Sequence, residues 1–217
     1  MSQSDSFINE VSEEVRRDRM VGFFRRYGWI IAAVLVVLIG AAVIWEVRRS
    51  GARAEARAFG DSVMAALEAE TPEARRTALL DIDAEGARGA LLAMLAAEAA
   101  ESEVARATML GRLDQVAGDG DVPQIYADLA RLKAAMLSLG TAPPEDTLSR
   151  LEPLTIPGAP YRLLAMEQQA VVRIAMDEPD VALGILQEIM SETAAPAGLQ
   201  DRVRQMIVAL GGSVGAA

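Results

Sequence analysis

Residues 29–45 read W-IIAAVLVVLIGAAVI-W, and this run decides how the rest of the chain is organised. No charged residue occurs from Tyr27 through Trp45, a window of 19 residues. As a helix rising 1.5 Å per residue, that window measures roughly 28 Å, close to the ~30 Å hydrocarbon thickness of a bilayer. Ten of its residues are Val, Ile or Leu, which together favour insertion by roughly 3 to 6 kcal/mol. Tyr27 and Trp29 at one end and Trp45 at the other suit the membrane interface, where amphipathic rings sit at headgroup level. A core helix of a soluble protein would be shorter and carry a polar face. The apolar region of a cleaved signal peptide would not follow a long leader holding five acids. The run therefore predicts one uncleaved transmembrane helix over 29–45. Ala33, Gly40 and Ala41 share one side of it and form a candidate helix–helix contact, since small residues let helices approach closely.

Upstream, residues 1–28 form a leader. Phe7, Ile8, Val11 and Val15 fall within one helical arc, with Glu10, Glu13, Arg16 and Arg17 opposite, which predicts a short amphipathic helix. The leader carries five arginines and the flank after the run four, Arg48, Arg49, Arg53 and Arg57. That bias favours a cytoplasmic N-terminus.

Downstream, residues 46–210 are expected to form one helical domain and 211–217 a flexible tail. Charge is unevenly spread. Residues 1–49 have a net charge of +1, whereas residues 50–217 hold 14 basic and 25 acidic groups, a net of −11. So acidic a domain argues against nucleic acid as a partner, because phosphate contacts need a basic face. It also leaves the anchor and its arginines as the part that touches the lipid bilayer. The chain has no cysteine and no histidine, which removes disulfides, thiol nucleophiles, histidine-based triads and the usual zinc sites.

The helical pattern continues from Arg48 to Glu70, with Phe59, Val63, Ala66 and Leu67 on one face. Thr71-Pro72 breaks it and places proline at a first helical position. A short helix through Ala78, Leu79 and Leu80 follows, then a loop at 83–86. Helix pairs are predicted at 87–99 with 102–117, 122–139 with 145–152, and 160–176 with 179–192, and a last helix at 197–210. Ala93, Ala127 and Ala165 occupy similar places in the first helix of each pair, 34 and 38 residues apart. Ala182-x3-Leu186-x2-Ile189 and Ala105-x3-Met109-x3-Leu113 show small-then-large spacing in the second helices. Two helices per ~34 residues is the tetratricopeptide period. The middle pair is degenerate, cut off by Pro153 and Pro157. No stretch alternates apolar and polar residues as a strand does. The fold class is all-α: one transmembrane helix, then a tetratricopeptide-like array of antiparallel helix pairs. A generic antiparallel helical array is the competing reading.

Little in the domain points to chemistry. Asp119 and Asp121 sit in a G-D-G-D turn, but no further ligands or closing glutamate follow in the register of a calcium loop. Serines lack a histidine or lysine partner, and no glycine-rich phosphate loop occurs. We expect no catalytic residues, no cofactor and no bound metal. A surface remains. The first helices of such pairs line a concave face, and Tyr126, Arg131, Tyr161, Arg162, Gln169 and Arg173 are the candidate partner-binding residues there. On the last first-helix, Leu164, Val171 and Ala175 read as the apolar face opposite Arg162, Gln169 and Arg173. Gln168 falls within that apolar arc and is expected to be packed and hydrogen-bonded.

The layout resembles a family. The stretches S-F-I-N-E-V-S-E-E-V-R-R-D-R (6–19), R-R-Y-G-W (25–29) and A-R-A-E-A-R-A-F (52–59), around the apolar run and ahead of an acidic helical-repeat domain, are similar to the ancillary SecYEG translocon subunit of Gram-negative bacteria, alphaproteobacterial type. The resemblance spans essentially the whole chain, with the second repeat departing from consensus. It implies an inner-membrane protein, N-terminus cytoplasmic and C-terminal domain periplasmic. It also implies docking beside the SecYEG translocon, a membrane-anchored periplasmic chaperone as co-partner, and a role in handing exported chains to periplasmic chaperones. The alternative is an anchored helical-repeat scaffold for another envelope process, such as division or outer-membrane assembly.

Overall fold

The computed structural model describes the backbone of residues 3–213, and side chains from Trp29 onward except Ile31 and Ala32. The expected leader face and the Tyr27 ring lie outside the described side chains. Among the described residues the chain is helical throughout, with nine α-helices, one 3-10 turn and no strand. It divides into two compact units, 1–60 and 61–217. The second compact unit begins at Asp61. The reason is packing: side chains from Ala33 to Ala58 are exposed, Phe59 and Val63 are partly covered, and Ala66 is buried.

Helix α1 runs Gln3–Leu67 without interruption, so the leader, the apolar run and the segment after it are one helix. Gly40, Gly51 and Gly60 meet nothing within 4 Å of where a Cβ would stand. Trp29 and Trp45 are both largely exposed, with Arg49 over the Trp45 ring at 4.8 Å. Among the described residues no helix is long and apolar enough to cross a membrane. From Ala33 onward, 18 residues already take in Glu46, Arg48 and Arg49.

The second unit is built of short helices. Thr71 accepts a hydrogen bond from the Ala74 amide at 3.1 Å and caps α2 (Pro72–Leu80), with Pro72 in the first turn, where its missing N–H costs nothing. Next come α3 (Gly86–Glu98) and α4 (Glu103–Gly118), the latter capped by Ser102 through the Ala105 amide. Helices α5 (Gln124–Ser138) and α6 (Pro144–Leu151) follow. Proline 153 does not simply stop α6. Residues Glu152–Leu154 continue as a 3-10 turn that drives Leu154 into the core. Helices α7 (Arg162–Ala175), α8 (Pro179–Ser191) and α9 (Ala197–Ala209) complete the unit.

Each helix from α2 to α9 packs on the next, and alternate helices α3, α5 and α7 also touch one another. Alanine makes this closeness possible. Ala93, Ala127 and Ala165 are all buried, and so are Ala105, Met109 and Leu113 on α4 and Ala182, Leu186 and Ile189 on α8. One core cluster joins α7, α8 and α9 through Met166, Leu186, Ile189, Val203 and Ile207. Another joins α5, α6, the 3-10 turn and α7 through Leu132, Leu151, Leu154 and Val172. Of the expected tail, 211–213 lie within the described residues. Gly211 (φ 79°) and Gly212 close α9 by donating to the Val208 and Ile207 carbonyls at 3.0 and 2.9 Å. A Cβ on Gly212 would stand 2.9 Å from side-chain atoms of both Leu183 and Ile207.

Candidate functional site

An open groove of about 690 Å³ lies in the second unit, lined from α3, α4, α5, α7 and α9. Its size falls within the ~300–1,000 Å³ range of ligand sites. Leu129, Leu132, Met136 and Leu137 of α5 and Leu164 of α7 are among its apolar lining residues. Met136 is 49% exposed and Leu164 37%. Helix α5 presents Leu129, Leu132 and Met136 at the i, i+3, i+7 spacing of one helical stripe. On α7, Leu164 and Gln168 stand one turn apart.

Charge at the groove is mostly paired. Lys133 of α5 bonds Glu98 of α3, and Arg202 of α9 grips both carboxylate oxygens of Glu167 on α7 at 2.7 and 2.8 Å. Arg202 is held above the ordinary guanidinium pKa, first by its hydrogen bonds to Glu167 and then by that carboxylate's charge, against some desolvation. The remaining cation, Arg106 of α4, donates through Nε to the Ala100 carbonyl at 3.3 Å. Gln168, expected to be hydrogen-bonded in the core, instead lines the groove half-buried, and its amide makes no hydrogen bond among the described residues.

The six residues expected on the partner face do not line this groove. Arg131 donates to Asp128 at 3.1 Å and to the Ala117 carbonyl at 3.0 Å, fastening α5 to the end of α4. Arg162 reaches Glu188 of α8 and Glu192 just past its end, each at 2.6 Å. Arg173 pairs with Glu178 in the turn into α8 at 2.7 Å. Tyr161 is half-buried against the α5–α7 core cluster, Gln169 is half-buried on α7, and Tyr126 is exposed on α5. Three of the six thus tie neighbouring segments together. Conversely, Leu164, read as core, opens on the groove, Ala175 is exposed, and the buried face of α7 runs through Ala165, Met166, Ala170 and Val172. The available signal was the apolar arc of Leu164 and Val171, interrupted by the amide of Gln168.

A second depression, about 710 Å³, borders the G-D-G-D turn with Glu85, Arg112, Asp119 and Asp121. There the Asp121 amide donates to Asp119 Oδ1 at 2.9 Å, which holds the turn itself. Among the described residues no group of three acids is placed to hold a metal ion.

The fold and groove define an all-α helical array with an open groove across alternate helices, lined by apolar and charged side chains. No family model, no curated protein and no solved structure matches the chain.

Proposed function

We propose that this chain is a membrane-anchored interaction scaffold of the bacterial inner membrane. In this reading Trp29–Trp45 spans the bilayer with the N-terminus in the cytoplasm. The helices from Asp61 onward stand in the periplasm as a tetratricopeptide-like array beside the SecYEG translocon. There the domain holds emerging chains and passes them to periplasmic chaperones, with a membrane-anchored periplasmic chaperone as co-partner. The observation that carries the reading is the groove: leucine, methionine and ion-paired charge across α3, α5 and α7 is chemistry that holds a polypeptide segment. Contact between alternate first helices supports the repeat reading, because stacked helix pairs bury one continuous core. The uncharged sequence Tyr27–Trp45 supports the anchor, since a helix apolar all round needs protein or lipid about it. Anchoring raises the domain's effective concentration at the channel exit with no new contact required.

Crosslinking in intact membranes followed by mass spectrometry tests the proposal. Translocon components should be captured. Their absence, with division or outer-membrane assembly proteins captured instead, would move the scaffold to another envelope process. A reporter fused after Ala217 and active only in the cytoplasm would overturn the topology.

A further inference from the structure

We infer that the groove takes an extended apolar peptide segment bearing a carboxylate, with Arg106 reading the charge and Gln168 the backbone. The inference rests on the groove being the binding surface of the scaffold. Two observations carry it beyond that.

The first is the bonding state of the polar groups. Both acids that line the groove are already engaged, Glu98 by Lys133 and Glu167 by Arg202. Arg106 spends only Nε, on a backbone carbonyl at 3.3 Å, and is exposed. Its two terminal nitrogens form the planar fork that matches a carboxylate. The groove therefore offers a surplus cation on a region whose net charge from residue 50 onward is −11. An acidic ligand is repelled from most of that surface and accepted here, so the charge sets where it docks.

The second is Gln168. A half-buried amide over an apolar floor offers one acceptor and two donors. A helical ligand keeps its backbone groups bonded to itself, whereas an extended one brings unpaired N–H and C=O groups that the amide satisfies. An unfolded segment is therefore the matching occupant, with its apolar side chains on Met136 and Leu164.

The test uses the full chain in nanodiscs and fluorescein-labelled octapeptides rich in valine and leucine, carrying one Glu, one Lys or neither. Fluorescence anisotropy should show the Glu peptide binding about threefold to tenfold tighter than the Lys peptide, because one gains an exposed ion pair with Arg106 and the other meets its repulsion. Arg106→Glu should invert that order, and Arg106→Lys should keep it. Gln168→Leu should weaken all three peptides and leave the order intact. Equal binding of the three, or an order that Arg106→Glu leaves unmoved, overturns the carboxylate assignment while the groove stands. Tighter binding in Gln168→Leu overturns the backbone contact. If no peptide binds at all, the groove is not a peptide site and both the inference and the holding role fall.

Discussion

Glu167 on α7 and Arg202 on α9 lie 35 residues apart in the chain and meet through both carboxylate oxygens. Glu98 and Lys133 are also 35 apart, joining α3 to α5, and Asp114 and Arg150 are 36 apart, joining α4 to α6. Each separation is close to the 34–38 residue spacing of the buried alanines. The ion pairs therefore link equivalent helices of successive pairs. Most are solvent-exposed and contribute little. The Glu167 pair differs, because the Glu167 side chain is only 7% exposed.

Removing Arg202 strands a buried carboxylate. Arg202→Met is expected to cost about 1–2 kcal/mol, read as a fall in Tm of roughly 3–6 °C for a unit of this size. Glu167→Gln removes the charge with its burial cost and should cost less. The arginine's raised pKa sets the pH sense. Its contribution is whole below the unfolded guanidinium value and fades only as pH climbs through the folded one. Arg202 should therefore add no pH dependence near neutrality. Thermal melts of the two variants decide the order, and a larger loss in Glu167→Gln would contradict it.

Asp177 is the one described non-glycine residue at positive φ, 61°. It closes α7: its amide donates to the Ile174 carbonyl at 3.0 Å, and the Glu178 amide reaches back to the Arg173 carbonyl at 2.9 Å. That is the helix-ending arrangement in which glycine is favoured. Asp177→Gly should raise stability by about 0.5–1 kcal/mol, and Asp177→Val should lower it by about 1–2 kcal/mol. Calorimetry of both variants tests the geometry, which fails if the valine variant is as stable as the glycine one.

Ser138 and Thr147 are fully buried and share a hydroxyl–hydroxyl bond of 2.8 Å between α5 and α6; Ser138 also bonds the Ala135 carbonyl. Thr147→Val keeps the shape and loses the bond, at a cost of about 1 kcal/mol. Adding Ser138→Ala should cost less than the sum of the single changes, because the partner no longer needs satisfying. Strict additivity in the double-mutant cycle would mean the two hydroxyls do not support each other.

Such features mark how far one-dimensional reading reaches. Helix order and most boundaries were legible because breaks are written locally, as at Thr71-Pro72 and Glu178-Pro179. Buried alanines were legible because helix approach demands a small residue at a recurring place. The groove was not. Leu129, Met136 and Leu164 have the spacing of core residues, and their place on the groove follows from how five helices come together, which spacing along one helix does not show. Arg131, Arg162 and Arg173 read as surface ligands because the Ala117, Glu188, Glu192 and Glu178 acceptors sit on turns and neighbouring helices that periodicity does not locate. Gly211 and Gly212 read as tail because their packing against Ile207 and Leu183 is a tertiary contact.

Val36 tests the anchor. It is 70% exposed on α1, near the middle of the run between Trp29 and Trp45. Those two tryptophans are separated by 16 residues, about 24 Å along a helix. In water, so many exposed Val, Leu and Ile side chains on one helix would be an aggregation hazard. In lipid they are the driving force for insertion. Arginine at the centre of a span costs about 2.5–3.5 kcal/mol on the insertion scale, comparable to the whole roughly 3–6 kcal/mol the run provides. Val36→Arg should therefore shift a large fraction of the protein from the alkali-resistant membrane fraction to the soluble one. A leucine at the same position should not. The same arginine at Ala54, beyond the run and already exposed, should leave the partition unchanged. If Val36→Arg stays fully membrane-bound while the Ala54 variant behaves identically, retention comes from somewhere other than this helix, and the anchor assignment fails.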